Sequence, residues 1–159
     1  MIGATGTIGS HVARELRERG ARVRAFVRDA PRAMAALGEG IELAVGDLHE
    51  VTSLPAALGG AERVFLCTPN HPLQAERETA VIAAAADAGV RRVIKLSANG
   101  ARIGSPLQFW DAHGRIEDRL RLSGLPVVVL RPSSYTSRRR GRPHRWAGSL
   151  RPRRTPRSR

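Results

Sequence analysis

The segment Gly3-Ala4-Thr5-Gly6-Thr7-Ile8-Gly9 constrains this chain more than any other. It sets three glycines at steps of three and runs straight into a helix-forming stretch. The first glycine permits a tight turn, the second lets a ligand approach the backbone, and the third lets the helix pack close to a sheet. The N-terminus of a helix opening there offers unpaired N–H groups and a partial positive charge. A turn of this kind suits the pyrophosphate of a dinucleotide, with hydroxyl donors added by Thr5 and Thr7, and it belongs between a strand and a helix of an α/β sheet.

The rest of the body repeats that alternation. Strands are expected at Arg22–Val27, Ile41–Val45, Glu62–Thr68, Arg92–Ser97 and Pro126–Leu130, each short, rich in Val, Ile, Leu or Phe, and bounded by Gly, Pro or polar residues. The run Val127-Val128-Val129-Leu130 does not alternate, which suits a parallel strand covered on both faces. Helices fall between. Thr7 to Arg19 sets Ile8, Val12 and Leu16 on one apolar stripe and ends at Gly20. Pro31 opens a short helix to Leu37, Ser53 caps one to Leu58, Leu73–Ala88 stops at Gly89, and Trp110–Leu122 turns Ile116 and Leu120 inward before Gly124. The fold class is therefore α/β: a Rossmann-like, doubly wound parallel sheet with helices on both faces.

Both ends depart from that pattern. Only Met1 and Ile2 precede the glycine turn, too few for the strand it needs, so the first strand is expected to be largely missing. In a sheet of this kind that strand is central, and its neighbours would lose ladder partners. The net charge is +13, yet residues 136–159 carry 10 Arg and no acid, leaving 17 basic against 14 acidic residues in 1–135. The domain is thus expected to end near Tyr135. The remainder reads as a basic, disordered tail that adheres to nucleic acid only nonspecifically, since it holds one aromatic, Trp146, and no groove-reading motif. Abrupt loss of pattern with Arg, Pro, Ser and Gly enrichment is also what a shifted reading frame in GC-rich coding DNA gives, so a fragment is expected. The single cysteine, Cys67, rules out an intramolecular disulfide and a multi-cysteine metal site; it reads as a buried small hydrophobe in its strand. No metal is expected. No uncharged apolar run approaches the ~18 residues of a membrane span, and no leader is evident, so a cytoplasmic chain without a membrane partner is expected.

The cofactor's ribose is read by the residue after the second strand of such a fold, about 20 positions beyond the glycines. Here Arg28 lies at that distance and Asp29 follows it. A guanidinium there can fork onto a 2′-phosphate and stack on adenine, which favours NADP(H). Asp29 can accept from the 2′-hydroxyl of NAD(H), which keeps NAD(H) open.

With these motifs in view, the sequence resembles the NmrA-like, or NAD(P)H-binding, group of atypical short-chain dehydrogenases/reductases. The likeness covers Gly3 to about Tyr135. It rests on GATGTIG, Val23–Asp29, Val45–Leu48, Arg63–Asn70, Val93–Gly100 and His113–Tyr135. The resemblance implies that Gly3, Thr5, Gly6, Thr7, Ile8 and Gly9 hold the pyrophosphate and that Asp47 and Leu48 border the adenine. It further implies that Thr68, Pro69 and Asn70 line the cofactor, with Ser97 beside the nicotinamide.

Conventional reductases of that superfamily carry Tyr-x-x-x-Lys on the helix after the Ser97 strand. This chain reads His113-Gly114-Arg115-Ile116-Glu117 instead. A carboxylate at 117 cannot do the cation's work, so the Tyr/Lys mechanism is not available. His113 and Ser97 are the candidate catalytic residues. His113 can relay a proton, or it can form a helix-surface hydrogen bond with Glu117. Lys95, costly to bury, is expected to face the cofactor or reach the sheet edge. Two functions stay open: an NAD(P)H-dependent oxidoreductase resembling quinone reductases, with a small-molecule substrate the sequence does not name, and a non-enzymatic redox-sensing regulator that binds NAD(P).

Overall fold

The computed structural model describes residues 1–133; the expected domain end at Tyr135 and the basic tail lie outside them. Five strands, β1 (Arg24–Val27), β2 (Glu42–Val45), β3 (Arg63–Leu66), β4 (Arg92–Leu96) and β5 (Val127–Leu130), all pair in parallel. They alternate with helices α1 (Thr7–Glu18), α2 (Ala30–Leu37), α3 (Leu54–Leu58), α4 (Gln74–Asp87) and α5 (Gln108–Leu122). The expected architecture is present: the strands are one to three residues shorter than their expected spans, α1 and α4 are a residue or two shorter, and α2 and α5 begin one and two residues earlier. Gly20, Gly89 and Gly124, which close α1, α4 and α5, sit at positive φ of 81°, 69° and 71°, where other residues are strained.

The first strand is largely missing, as expected, but the loss of ladder partners is only partial. Its place is held by one residue. Ile2 bridges Phe26 on one side and Leu66 on the other, both in parallel, and is almost wholly buried. Phe26 N–H donates to Met1 O, Ile2 N–H to Phe65 O and Cys67 N–H to Ile2 O. The neighbours therefore keep ladder partners at the point of closest approach. The sheet runs β2-β1-Ile2-β3-β4-β5.

Side chains of β1 alternate between two cores, as a sheet covered on both faces requires. Ala25 and Val27 join a small-residue cluster with Ala4, Ala13 and Ala33 under α1 and α2, while Phe26 joins a larger one with Val64, Leu66, Ile82, Ile116 and Leu120 under α3, α4 and α5. Two expectations fail here. The buried face of α1 is Gly9 and Ala13, not the Ile8–Val12–Leu16 stripe, and Leu16 is exposed. The tight turn pulls α1 so close to the sheet that only small residues fit beneath it. β5 is parallel but not covered on both faces: it pairs only with β4 among the described residues, and Val128, Val129 and Leu130 are exposed. Ser53 does not cap α3 through its side chain. Its hydroxyl donates to Glu50 O at 2.8 Å within a preceding 3₁₀ turn over Val51–Ser53. No helix among the described residues is long and apolar enough to cross a membrane.

Candidate functional site

Parallel strands separated by helices all point their C-terminal ends the same way, and the loops leaving those ends share one side of the sheet. There a cleft of about 630 Å³ opens. It is lined by Gly3, Thr5, Gly6, Thr7, Ile8, Gly9, Arg28, Asp47, Leu48, Thr68, Pro69, Asn70, Ser97 and His113. The candidates of the sequence reading, Asp29 and Lys95 apart, thus surround one space. The strand order splits it in two about the glycine turn, with Arg28, Asp47 and Leu48 at the ends of β1 and β2, and Thr68, Ser97 and His113 beyond β3 and β4.

Gly3 and Gly9 are fixed by the protein itself. A Cβ on Gly3 would sit 1.8 Å from Cys67 O, at a φ of +80°, and one on Gly9 would sit 2.0 Å from Gly3 O. Gly6 differs. Its φ of −75° suits any residue, and an added Cβ would meet nothing nearer than Gly3 O at 3.5 Å. Gly6 is also the N-cap of α1, with no side-chain cap hydrogen bond and no acid in the first turn. The first N–H groups of α1 therefore lack a side-chain acceptor, and their positive end has no carboxylate against it. This is a cradle that a side chain would fill and that an anion matches in charge.

At the β1 end the two ribose candidates part. The Asp29 carboxylate caps α2, accepting from Arg32 N–H at 2.9 Å, and Asp29 does not line the cleft. Arg28 is exposed, lines the cleft and has no side-chain partner among the described residues. The Asp47 carboxylate accepts from His49 N–H at 3.0 Å, which folds the loop after β2 into a turn.

At the β3–β4 end two buried carboxylates organise the polar groups. Lys95, expected at the cofactor or the edge, does neither; its side chain is fully buried, and its Nζ lies 2.8 Å from Glu78 Oε1 and 2.7 Å from Oε2 on α4. Glu78 also accepts from the Thr68 hydroxyl and, at 3.1 Å, from Gln74 Nε2. With charge paired and donors converging, Lys95 needs no route to water. Glu117 is likewise buried: it accepts from Ser97 Oγ–H at 2.6 Å and from Arg131, whose Nε lies 2.9 Å away. Burial opposes its ionisation, but hydrogen bonds from Arg131 and Ser97 hold its carboxyl below the usual carboxylate range.

The expected surface hydrogen bond between His113 and Glu117 is absent. Both residues face inward on α5, and Glu117 has stronger donors in Arg131 and Ser97. His113 is only 4 % exposed, its Nδ1 is buried without a hydrogen-bond partner, and Phe109 meets its ring edge-on at 4.6 Å. Burial, aided by the positive charge of Lys95 and opposed by Glu117, lowers the imidazole pKa to about 4. Cys67 is not in a strand and not fully buried; it is half-buried on the cleft wall, and burial raises its thiol pKa. Sequence reading missed Phe109, Gln74 and Arg77 among the lining residues. Phe109 stands four positions before His113, a spacing that shares a helix face and could have signalled it.

Residues 3–159 match a protein family described as NAD(P)H-binding. The chain is 38 % identical over 135 residues to NAD(P)H azoreductase of Xenophilus azovorans, covering 85 % of this chain and 47 % of that protein. Its fold superposes on NADPH-dependent quinone oxidoreductase from Escherichia coli complexed with NADPH, with a TM-score of 0.72 and 30 % identity over 82 % of this chain and 47 % of that one. It also superposes on Citrobacter triphenylmethane reductase complexed with NADP(H), with a TM-score of 0.73 and 27 % identity over 85 % of this chain and 49 % of that one. The chain spans about half the length of the curated relatives named here.

Proposed function

The chain belongs to the NAD(P)H-binding family, and from that premise we propose that it is the cofactor-holding part of an NAD(P)H-dependent oxidoreductase of quinone-reductase type. The observation that carries the reading is the uncapped start of α1 behind Gly6, facing a cleft with room for a dinucleotide. The pyrophosphate lies against the N–H groups of that helix, and the absence of a side chain at Gly6 lets it come close. Asp47 and Leu48 border the adenine. Thr68, Pro69 and Asn70 pass along the cofactor, and Ser97 stands beside the nicotinamide. When bound, a reduced nicotinamide supplies a hydride.

NADP(H) is the preferred form. Arg28 offers a guanidinium at the ribose end with its donors available, and a fork onto a 2′-phosphate uses two of them. The Asp29 carboxylate that would accept from an NAD(H) 2′-hydroxyl already caps α2.

The relatives named as an azoreductase and as quinone oxidoreductases support the acceptor class. Hydride transfer to such compounds needs orientation more than a strong acid, which fits a helix carrying His113 and Glu117 where a Tyr/Lys pair would stand. Titration of NADPH followed by oxidation against a quinone series tests the reading. Micromolar binding with turnover is expected. Binding without turnover would turn the assignment to a nucleotide sensor, and no binding would overturn it.

A further inference from the structure

Two hydroxyls line the β3–β4 half of the cleft, and a buried carboxylate holds the hydrogen of each. Ser97 Oγ–H points to Glu117 and Thr68 Oγ1–H to Glu78. A hydroxyl has one hydrogen to give. Both groups therefore present lone pairs to the cleft and act there as acceptors, suited to the amide hydrogens of a carboxamide. The cations behind them are matched as well, Lys95 by Glu78 and Arg131 by Glu117. Arg77 on α4 also lines the cleft; its guanidinium meets the His49 ring and pairs with no carboxylate among the described residues. His113 differs from the two hydroxyls. It lines the cleft, its Nδ1 is buried without a partner, and in the Nε2–H tautomer its ring has an N–H to give a ligand there. Edge-on contact with Phe109 sets the plane of that ring.

We propose that His113 is the hydrogen-bond donor to the electron acceptor, and that the acceptor accordingly presents a carbonyl oxygen. The inference rests on the reductase reading and deepens it. In the overall balance one quinone, one NADPH and one proton give one hydroquinone and NADP⁺. The hydride carries the electron pair, the nicotinamide is oxidised and the quinone is reduced. The imidazole N–H stabilises the developing oxyanion without giving up its hydrogen, and the proton that completes the hydroquinone comes from water. A neutral imidazole serves this role as a donor of fixed geometry. Burial above all keeps it neutral; Lys95 on β4 also disfavours protonation, Glu117 on its own helix favours it, and Glu78 on α4 compensates Lys95.

The test compares His113→Leu and His113→Gln with the parent protein, using NADPH and 1,4-naphthoquinone. His113→Leu is expected to lower kcat/KM for the quinone about 10- to 100-fold. Its NADPH affinity should stay within about twofold. His113→Gln, which keeps an N–H, should recover most of the loss. The parent's kcat/KM should be flat from pH 5.5 to 8. Unchanged turnover in His113→Leu overturns the proposal, and so does a parent rate that falls tenfold per pH unit above 6.5, the mark of an imidazolium acid. If NADPH binds and no quinone is reduced, the reductase reading fails separately. The donor role is then read from the His113 ring ¹⁵N signals as 1,4-naphthoquinone is added to the NADP⁺-bound protein. A shifted N–H upholds it and an unmoved one overturns it.

Discussion

Three glycines of one turn do three different jobs, and substitution separates them. Gly9→Val drives a side chain into the Gly3 carbonyl and should cost the fold several kcal/mol. Gly6→Val meets no such obstacle and should leave the unfolding free energy within about 1 kcal/mol of the parent, while weakening NADPH at least tenfold, as read by fluorescence titration. Arg28→Ala should weaken NADPH about 10- to 100-fold and NADH by less than threefold. Equal losses would remove the 2′-phosphate role. His113 links protonation to stability with a definite sign. Its folded pKa, about 4, lies below the ordinary 6.5. Above pH 6.5 both folded and unfolded states are neutral there and the contribution is whole. As pH falls from 6.5 towards 4 the unfolded chain takes up the proton first, so stability declines, and it levels off below 4. Urea unfolding at pH 7, 5.5 and 4.5 should show that decline, reduced in His113→Gln.

Among the elements, α4 and β4 are joined by the Lys95–Glu78 pair, and neither partner has access to water. Lys95→Met strands a buried carboxylate and should cost about 3–5 kcal/mol, whereas Lys95→Met with Glu78→Leu should recover much of it. A double-mutant cycle by chemical denaturation checks this. The helices themselves were legible in the sequence because their signals are local: Pro31 near a helix start, glycines at positive φ after the last turn, Ile116 and Leu120 four apart on the inner face of α5. The ion pairs were not. Glu78 lies 17 positions from Lys95, and Glu117 lies 14 from Arg131; no periodicity encodes such a meeting, which only the sheet register brings about. The buried face of α1 was misread for a related reason. A stripe of Ile, Val and Leu marks where hydrophobic area is available, but the turn at Gly3 dictates how near the helix comes, and at that distance Gly9 and Ala13 are the residues that fit.

At the scale of the whole molecule, the candidate site was more legible than the cover around it. Its residues sit at strand ends and loops fixed by the strand–helix alternation, so their convergence follows from topology alone. The exposure of β5 depends instead on what lies beside it in space, and strand composition is silent on that. The same topology gives Ile2 an unusual burden. Within the sheet, the β1–β2 pair and the β3–β4–β5 trio are joined through the backbone of Met1 and Ile2, while Phe26 of β1 reaches into the core shared with β3. The cleft lies astride this seam, with the proposed adenosine side on one part and the proposed nicotinamide side on the other. A dinucleotide laid across it acts as a rivet, so holding the cofactor and holding the two parts together become one event. Saturating NADPH, at 100 times its Kd, should then add about 2.7 kcal/mol to stability and slow proteolytic cutting near residues 1–6 more than at the far ends of the sheet.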